Sequence, residues 1–555
     1  MTYDIKKIFS PIVLTAISLS AMATDYSDTL AVTVNGQTIY KNATITLSEK
    51  ESGTYTLTLK NLIAGTDALG TITFDDCYAK QTDRGMIFDE NITTTIADGD
   101  NIRGITWTGP SLGDINFSLR ASLADNKLQA VIVFTTTGAS PKTYSIRFGD
   151  GIHLYNGSFE TFKDKNGKDV ETENTNAEPE YWHSFISATG SLAGAAPKPL
   201  LSKETRSGAT NSTKSLLLKS TSIFGIVANG TATNGRLNAG NMSATNTANH
   251  AEMDITNSAT DPSGHPFYTR LNVQPDSIAL WAKFKQGTAN AQHPYATFTA
   301  TITDGTYYQD PEDKTYKNKV AVAKNNTIAS NGAVWQRLAI PFDYATYASN
   351  NVEQKAILIT MSTNADPGEG SKNDELYVDD MELIYNADIT SVKLGGENIE
   401  AAAYAGGNPI PGYASLKIAL VEVKDAVAAS DFTVETNARQ PFVYKEVVDA
   451  DDIILNDPTL PKNADQIATI VCYAADLSKA NAWMVFINKE RIAGDVNSDG
   501  KTDIADVTSM IDIILGKDST KPYSYDHKAA DMDGNGTIDI ADVTSLIDVI
   551  LGKQN

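Results

Sequence analysis

Apolar and polar residues alternate with a period of two through the N-terminal part of the chain, which is the pattern of half-buried β-strands. Segments such as TLAVTVNG, GTYTLTLKNL and KTYSIRFGD follow one another between short turns rich in Gly, Asn, Asp and Ser. Consecutive short hairpins favour an up-and-down meander, either open or closed into a barrel. The pattern therefore predicts a β-domain over residues 25–150.

The next two regions are also expected to be β-structure. Residues 151–386 open with NGSFETF, close with DELYVDDMELIYN and contain further strand-like segments such as PDSIALWAKFK. Residues 387–490 contain short apolar segments such as SLKIALVEV and AWMVFINKE at the spacing of a β-sandwich. We expect residues 387–490 to form an immunoglobulin-like β-sandwich that spaces and orients the neighbouring domains.

The period changes over residues 491–555, where apolar residues recur at i, i+3, i+4, i+7 and i+8 in two places. This spacing puts one apolar stripe on each of two predicted α-helices. Gly516 and Gly552 follow the stripes and are expected to end the helices. The stripes repeat after 36 residues and consist of Val507, Met510, Ile511, Ile514 and Leu515, and of Val543, Leu546, Ile547, Ile550 and Leu551.

An acidic loop precedes each predicted helix and has the composition of a calcium-binding loop. Calcium takes roughly six to eight oxygen ligands, delivered by a tightly turned loop. Gly500 and Gly536 stand where such a loop bends sharply. The predicted ligands are Asp495, Asn497, Asp499, Lys501 through its backbone carbonyl, Asp503 and Asp506 in the first loop, and Asp531, Asp533, Asn535, Thr537, Asp539 and Asp542 in the second.

Two acidic helix N-termini are the alternative explanation for this pattern. Capping and the helix dipole favour Asp at such positions, which accounts for Asp503 and Asp506. It does not account for alternate Asp and Asn residues with an aligned Gly, written twice at a fixed period. We therefore expect two calcium ions in this part of the chain.

These loop–helix repeats resemble the dockerin type I family over the last ~60 residues. The twelfth loop position is Asp instead of the Glu of an EF-hand, and the segment before the first loop reads as a strand and a turn. The resemblance implies a calcium-folded module that binds a cohesin receptor. In that family the two residues before the closing Asp often contact cohesin and are often hydroxylated, whereas here they are Ile504-Ala505 and Ile540-Ala541.

The apolar pairs leave two interpretations open. In the first, they contact a cohesin-like or other envelope protein, because exposed apolar pairs are more natural in an interface than in solvent. In the second, the two isoleucines pack inward between the repeats.

Two further family resemblances concern the β-regions. Residues 25–150 resemble the calycin-like β-barrel domain, particularly in the segment GTYTLTLKNL, which implies a barrel that either holds a small apolar ligand or has a filled core. Residues 151–386 look like a jelly-roll β-sandwich of the carbohydrate-binding type and match a carbohydrate metabolism domain family in TSIFGIVANGTATNGRLNAGNMSA. The whole chain is thus expected to be a mostly β, multidomain protein with a small helical module at its end.

The jelly-roll resemblance implies one more calcium ion. In such modules an acidic turn residue and an Asp of the final strand share a calcium where the first and last strands meet. Glu160, in NGSFE, and Asp379, in LYVDD, match these positions, and the period of two places Asp380 on the opposite face. Two solvated edge carboxylates are the alternative.

The net charge and the N-terminal residues indicate which partners are excluded and where the protein is located. The 555 residues carry a formal net charge of −23, which argues against nucleic-acid and anionic-lipid partners. Lys6 and Lys7, an apolar stretch over residues 8–22 and Ala21-Met22-Ala23 indicate a signal peptide over residues 1–23, with a buried first helix as the alternative. Later apolar runs are too short to span a bilayer. We expect export to the periplasm, the cell surface or the medium.

The cysteines are few and far apart. Cys77 and Cys472 are separated by about 400 residues, so two buried free thiols are expected, with a disulfide as the alternative.

Candidate catalytic residues do not emerge from the sequence. A GxSxG elbow, an HExxH motif and a P-loop are missing, although a glycosidase carboxylate pair is compatible with any acidic sequence. Three functions stay open: a non-catalytic protein that binds or presents glycans in polysaccharide metabolism, a glycan-active hydrolase with its site in the jelly roll, and an adhesin or scaffold without sugar specificity. The candidate sugar-stacking residues are Tyr181, Trp182, Tyr307 and Tyr308.

Overall fold

The protein is predominantly β, with its α-helices confined to the C-terminal part of the described chain. The computed structural model describes residues 23–553, except 138–139, 174–175, 196–197, 199, 207–211, 224, 405–412, 451–459, 462–463, 498 and 518–524. The predicted signal peptide lies outside these residues, apart from Ala23. Within the described chain, every helix is too short or too polar to cross a membrane.

The first part of the chain forms one nine-stranded antiparallel sheet. The spatial order is β4-β3-β2-β1-β9-β8-β7-β6-β5, so the expected meander is present with strands β1 and β9 joined in its middle. Its inward residues meet in a single core, because the sheet curls around them. The strands are β1 (Ala23–Val34), β2 (Gln37–Glu49), β3 (Tyr55–Ala64), β4 (Asp67–Cys77), β5 (Lys80–Thr82), β6 (Gly85–Thr94), β7 (Ile115–Ala124), β8 (Lys127–Thr135) and β9 (Thr143–Phe148).

The central part of the chain contains two main sheets that share one hydrophobic core and so form a sandwich. One sheet has the order β12-β13-β26-β20-β24, and the other has the order β16-β25-β21-β23 with β19 beside β25. The strands of the two sheets are β12 (Leu200–Ser202), β13 (Ser215–Lys219), β16 (Thr231–Thr233), β19 (Thr269–Arg270), β20 (Ser277–Lys285), β21 (Tyr295–Thr303), β23 (Lys319–Ala329), β24 (Gln336–Pro341), β25 (Ala356–Ser362) and β26 (Glu375–Ile384).

Smaller sheets flank this sandwich. They comprise two two-stranded hairpins and the three-stranded sheet β17-β18-β22. Their strands are β10 (Phe162–Asp164), β11 (Ala177–Pro179), β14 (Thr221–Ile223), β15 (Ile226–Ala228), β17 (Arg236–Ala239), β18 (Asn249–Met253) and β22 (Tyr308–Asp310).

The third β-region consists of a three-stranded sheet, β28-β27-β31, and a five-stranded sheet, β29-β30-β34-β33-β32. Strands β30 and β34 run parallel, while the other pairs are antiparallel. The strands are β27 (Ile389–Leu394), β28 (Glu397–Asn398), β29 (Ala402–Ala403), β30 (Ser415–Val423), β31 (Phe432–Thr436), β32 (Phe442–Asp449), β33 (Gln466–Tyr473) and β34 (Ala480–Lys489).

Strands β33 and β34 of this five-stranded sheet are buried on both faces. Strand β33 is buried at nearly every position, and one of its faces belongs to the core that continues into the central sandwich. Its other face packs with Ile87 of the N-terminal sheet. Continuous apolar strands are typical of sheets covered on both sides. The region therefore does more than space its neighbours, because it is packed between them.

A buried charge cluster lies in this contact between the N-terminal sheet and the third region. The carboxylate of Asp89 accepts hydrogen bonds from Arg120 Nε (3.2 Å), Tyr413 Oη (2.6 Å) and Tyr473 Oη (3.1 Å), with Lys80 Nζ 4.0 Å away. Burial alone raises the pKa of Asp89, but the charges of Lys80 and Arg120 outweigh it and hold that pKa below its usual value. The cluster is a fixed ionic contact inside the interface.

Both cysteines are buried and free, as expected. Burial raises the pKa of each thiol, to about 12 for Cys472, so both stay protonated and unreactive at neutral pH.

Candidate metal centre

The second acidic loop brings three carboxylates together. One oxygen from each of Asp531, Asp533 and Asp542 lies within 4.8 Å of the other two. Two oxygens bound to one calcium at about 2.4 Å are at most about 4.8 Å apart, so this spacing fits a shared ion. Asp542 is fully buried, and a buried carboxylate is costly unless a cation or hydrogen bonds compensate it.

Backbone amides hold this loop in a calcium-loop conformation. Asp531 accepts hydrogen bonds from the N–H groups of Asn535 (3.1 Å) and Gly536 (2.8 Å), which wraps the loop around the first carboxylate. Gly536 has a φ of +84°, a left-handed conformation that favours glycine. At the end of the loop, the Asp542 carboxylate accepts from the N–H groups of Met532 (2.8 Å) and Asp539 (2.9 Å).

The first loop repeats these contacts. Asp495 accepts from the N–H groups of Asp499 (3.0 Å) and Gly500 (2.9 Å), and Asp506 accepts from those of Asn497 (3.0 Å) and Asp503 (2.8 Å). Asp506 is fully buried, as Asp542 is in the second loop. The backbone of the first loop therefore wraps around Asp495 and Asp506 much as that of the second loop wraps around Asp531 and Asp542. Among the described residues, the cluster of three carboxylates is found in the second loop.

Each loop leads directly into its predicted helix. Helix α1 (Ile504–Ile514) and helix α3 (Ile540–Ile550) begin at Asp503 and Asp539, whose carboxylates accept from the second N–H of each helix. A short helix, α2 (His527–Ala530), precedes the second loop and was not anticipated by the periodicity.

The two repeats bury one shared core. The residues fully or nearly fully buried in it are Val496, Val507, Met510, Ala530, Val543 and Leu546. Gly494 permits the close approach of the repeats, since a Cβ there would lie 2.4 Å from Leu546 Cδ1. Helices α1 and α3 contribute residues from both repeats to this one core, so each loop–helix unit is stabilised by the other.

The Ile-Ala pairs at the helix starts lie at the surface. Ile504 is 70% exposed and Ile540 is 73% exposed, and the neighbouring Ala505 and Ala541 are exposed as well. The interpretation in which the isoleucines pack inward is therefore wrong.

Part of each predicted apolar stripe also faces solvent. The exposed members are Ile511, Ile514, Leu515, Ile547 and Leu551. A stripe defined at i, i+3, i+4 and i+7 is wider than the surface that the partner helix covers. Ile511 and Leu515 follow Ile504 by seven and eleven residues, so they extend its exposed apolar surface along α1. The apolar pattern in the sequence did not distinguish these exposed residues from those of the core.

Two known protein families match parts of this chain. Residues 493–551 match the dockerin type I domain. Residues 22–150 match the calycin-like beta-barrel domain. We call residues 493–551 the dockerin module. Together the two matches confirm the resemblances inferred for both ends of the chain.

The similarities to solved structures are remote. The M60 catalytic domain with the CBM51-1 and CBM51-2 domains from Clostridium perfringens ZmpB covers 88% of this chain at 7% identity and a TM-score of 0.14. This chain spans 42% of that one. CBM51-2 in complex with GlcNAc and INT domains, also from Clostridium perfringens ZmpB, covers 72% of this chain, and the match takes in 100% of that chain, at 8% identity and a TM-score of 0.13.

A third similar structure is that of infectious bursal disease virus Gx strain, which covers 67% of this chain, while the match takes in 75% of that chain, at 9% identity and a TM-score of 0.13. No curated protein sequence matches the chain. At these TM-scores the three structures do not define a shared fold.

The third predicted calcium site, in the central sandwich, has a different environment. Glu160 is buried and accepts hydrogen bonds from Thr213 N (2.8 Å), Thr213 Oγ1 (2.6 Å) and Lys214 N (3.1 Å). Asp379 is fully buried and accepts from Ser212 Oγ (3.0 Å). The two carboxylates thus hold adjacent residues of the same segment, 212–214.

Asp379 and Asp380 face opposite ways, as predicted, but the period of two along the strand is not the whole reason. A register shift in the pairing of β20 with β26 interrupts the period of two beside them, and Asp380 has a φ of +43°. Asp380 pairs with Arg206, while Asp379 stays inside. Burial raises the pKa of Asp379 to about 7, with further contributions from the charges of Asp380 and Glu160. A cation beside Asp379 would offset the free-energy cost of burying its charge. Calcium at Glu160 and Asp379 stays a prediction.

We expect Asp379→Asn to separate the effects of the carboxylate and of calcium. In chelator, the wild type loses stability as pH rises from about 4 to 7, because the folded-state pKa lies above the unfolded-state value of about 3.9. Asp379→Asn does not lose stability in this way. In chelator, β26 is therefore better protected from hydrogen exchange in the variant than in the wild type, and the difference increases from about pH 4 to 7. In excess calcium, the wild type becomes the more stable protein. A variant that stays more stable in calcium contradicts the metal site.

The candidate sugar-stacking residues do not form one surface. Trp182 is 1% exposed and donates from Nε1 to the Tyr155 carbonyl (3.1 Å), and Tyr308 is 3% exposed. Neither ring has a free face, so the prediction that these two stack on sugar is wrong. Tyr307 is partly exposed, and its hydroxyl donates to Glu252 (3.0 Å). Tyr181 lies elsewhere, partly buried at the contact between the N-terminal sheet and the sandwich.

Proposed function

We propose that the chain is an exported, non-catalytic protein associated with carbohydrate, linked to polysaccharide utilisation and attached through a calcium-dependent docking tail. The observation that carries this proposal is the duplicated acidic loop and helix, with Ile504 and Ile540 exposed at equivalent positions. Two matched apolar side chains in solvent favour association with a protein over catalysis.

Calcium is the ion that both loops fit, with one ion in each loop. Calcium prefers oxygen ligands, and the loops offer carboxylate, amide and carbonyl oxygens at alternate positions. Dockerin type I domains bind calcium, which supports this assignment. The proposed ligands are the twelve residues predicted from the sequence, from Asp495 to Asp506 and from Asp531 to Asp542. The ion would neutralise the clustered carboxylates and fix the start of each helix.

The proposed partner is a cohesin-like or other envelope protein. Dockerin domains bind cohesins, and dockerin-containing proteins are typically extracellular or at the cell surface. The helix starts carry the same residues, DIADVTS, in both repeats. Either repeat can therefore present the same apolar face to the partner.

The association with carbohydrate rests on the central sandwich as well as on the tail. Residues 151–386 resemble carbohydrate-binding jelly rolls in sequence, and two five-stranded sheets form a sandwich there. Glu178, a half-buried carboxylate of this region, is held by hydrogen bonds. Its Oε1 accepts from the backbone and hydroxyl groups of Ser184 and Ser187, which fits a structural role.

Replacing both exposed isoleucines is expected to abolish docking. In the full chain, Ile504→Asp with Ile540→Asp places a charge at the centre of each proposed contact, and loss of central apolar contacts typically weakens an interface by roughly tenfold or more. The measurement is recovery of envelope proteins from the source organism with immobilised wild-type and variant chains, in calcium and in chelator. The wild type retains a partner only in calcium, and the double variant recovers less than about a tenth of it.

Val334→Asp is the matched control. Val334 is 59% exposed in the loop before β24, so the substitution replaces an exposed apolar side chain by one negative charge away from the dockerin module. It is expected to leave recovery of the partner unchanged. Equal recovery by the wild type and the double isoleucine variant rejects the proposed docking face.

A further inference from the structure

A cavity of about 310 Å³ lies where the N-terminal sheet meets the central sandwich. Small-molecule sites typically have volumes of about 300–1,000 Å³ and often lie between domains. The N-terminal sheet contributes Tyr40, the connecting segment contributes Asp150, and the sandwich contributes aromatic and cationic side chains. The cavity is lined by, among others, Tyr40, Asp150, Tyr155, Tyr181, Tyr268 and Arg270.

Hydrogen bonds across the junction fix the walls of this cavity. The N–H of Asn156 donates to Tyr40 Oη (2.9 Å), and Asn272 donates from Nδ2 to the Asp150 carbonyl (2.7 Å) and from its backbone N–H to the Gly151 carbonyl (2.7 Å). Gly151 has a φ of +74°, and a Cβ there would lie 2.6 Å from Asn272 Nδ2. The connection is therefore closely packed, and the cavity is formed before any ligand binds.

The aromatic wall is built around Tyr181. Its ring stacks on that of Tyr155, with ring centroids 4.7 Å apart and planes at 20°. The centroid of the His265 ring lies 3.8 Å from that of Tyr181. Tyr40 meets it edge-on at 5.6 Å. Tyr181 also has a φ of +69°, an uncommon conformation for a bulky residue. Such strain persists only where surrounding contacts hold it, and it is concentrated at binding sites.

The polar groups of the cavity are of both signs. Asp150 Oδ1 accepts from Tyr155 Oη (2.6 Å) and Gly151 N (2.8 Å), whereas a carboxylate can accept about four hydrogen bonds. Arg270 is exposed, and its guanidinium lies 5.5 Å from the ring centroid of Tyr268. Lys41 also lines the cavity, and its Nζ donates to the Ile63 carbonyl (2.7 Å).

This combination matches the chemistry of a sugar. A pyranose ring has apolar C–H faces that pack on tyrosine rings, and its hydroxyl groups both donate and accept hydrogen bonds. A carboxylate and a guanidinium on the same wall supply the complementary acceptors and donors. An apolar ligand would use neither the remaining acceptor positions of Asp150 nor the donors of Arg270.

We propose that this cavity binds one sugar residue of a glycan, packed against the tyrosine side chains that line it and hydrogen-bonded by Asp150 and Arg270. This inference rests on the proposed association with carbohydrate and gives it a site. The site combines residues of the calycin-like region and of the sandwich, so neither region contains it alone.

The test uses the full chain and four simple probes. Saturation-transfer-difference NMR is recorded with the methyl glycosides of glucose, galactose, N-acetylglucosamine and glucuronic acid, which also separates neutral from acidic sugars. The wild type gives a transfer signal with at least one probe. Arg270→Ala and Tyr268→Ala each lower that signal at least fivefold. Arg270 is exposed, so its replacement keeps the fold.

The matched controls lie away from the cavity. Arg337→Ala and Tyr295→Ala remove the same side chains from exposed positions, and Tyr295 stands at the opposite end of β25 from Arg270. Both controls retain the wild-type signal. Full signal in Arg270→Ala and Tyr268→Ala overturns the site while leaving the association with carbohydrate intact. No signal from the wild type with any probe overturns both, and the docking test is independent of this result.

Discussion

Removal of calcium is expected to unfold the dockerin module while the β-sheets of the same chain stay folded. Without a cation, three carboxylates of the second loop lie within 4.8 Å of one another and repel. The shared core of the module is small, so the free energy of ion binding is a large part of its folding free energy. An ion at 100 times its Kd contributes about 2.7 kcal/mol, which corresponds to roughly 100-fold in hydrogen-exchange protection.

Hydrogen exchange of the full chain measures this effect region by region. Peptides from α1 and α3 lose at least about 100-fold in protection in chelator, whereas peptides from β3 in the N-terminal sheet keep theirs. Asp495→Ala with Asp531→Ala reproduces the chelator effect in calcium. The matched control Asp548→Ala removes a partly exposed carboxylate of α3 outside the loops and leaves exchange unchanged. Equal protection of α1 and α3 with and without calcium contradicts the prediction.

Asp89→Ala is expected to destabilise the contact between the N-terminal sheet and the third β-region by about 3–5 kcal/mol. The substitution removes the Asp89 carboxylate from beside the buried charges of Arg120 and Lys80, whose side chains are only 7% and 5% exposed. It also removes the acceptor for the Tyr413 and Tyr473 hydroxyl groups. Truncating one partner of a buried ionic cluster costs far more than the net value of the pair.

Urea denaturation read by hydrogen exchange of β6 and β33 measures the loss on both sides of this contact. Asp75→Ala is the control, because Asp75 pairs with Lys50 (3.1 Å) but is 60% exposed, and such pairs contribute less than about 1 kcal/mol. Since the folded-state pKa of Asp89 is lowered, the contribution of its charge is present above about pH 4 and is lost at more acidic pH. An effect of Asp89→Ala no larger than that of Asp75→Ala contradicts the buried cluster.

Local patterns predicted most of the fold and of the metal site. Alternation identified the strands of the N-terminal meander, because one face of that sheet is buried and the other is wet. The acidic loops and the dockerin resemblance were also predictable, since a calcium loop is encoded within twelve consecutive residues, while the individual ligands stay a prediction. The repeated stripes gave both helices and their shared core, through residues such as Val507 and Leu546.

Contacts between distant parts of the chain were not predictable in this way. Nothing in the sequence around Asp89 indicates that its partners come from residues near 413 and 473. The aromatic pair Tyr181-Trp182 likewise reads as a single feature, yet the structure buries Trp182 and leaves Tyr181 at a cavity wall. A register shift beside Asp380 interrupts the alternation on which the strand argument depends. Each of these depends on tertiary packing, which a window of neighbouring residues does not contain.

Calorimetric titration of calcium into the chelator-treated full chain tests the central claim most directly. The account predicts that the wild type binds two more calcium ions than the Asp495→Ala/Asp531→Ala variant, because each substitution removes the first ligand of one loop. Any ion held by the sandwich is common to both proteins and cancels in the comparison. The same number of bound ions in both proteins would contradict a dockerin module held together by calcium.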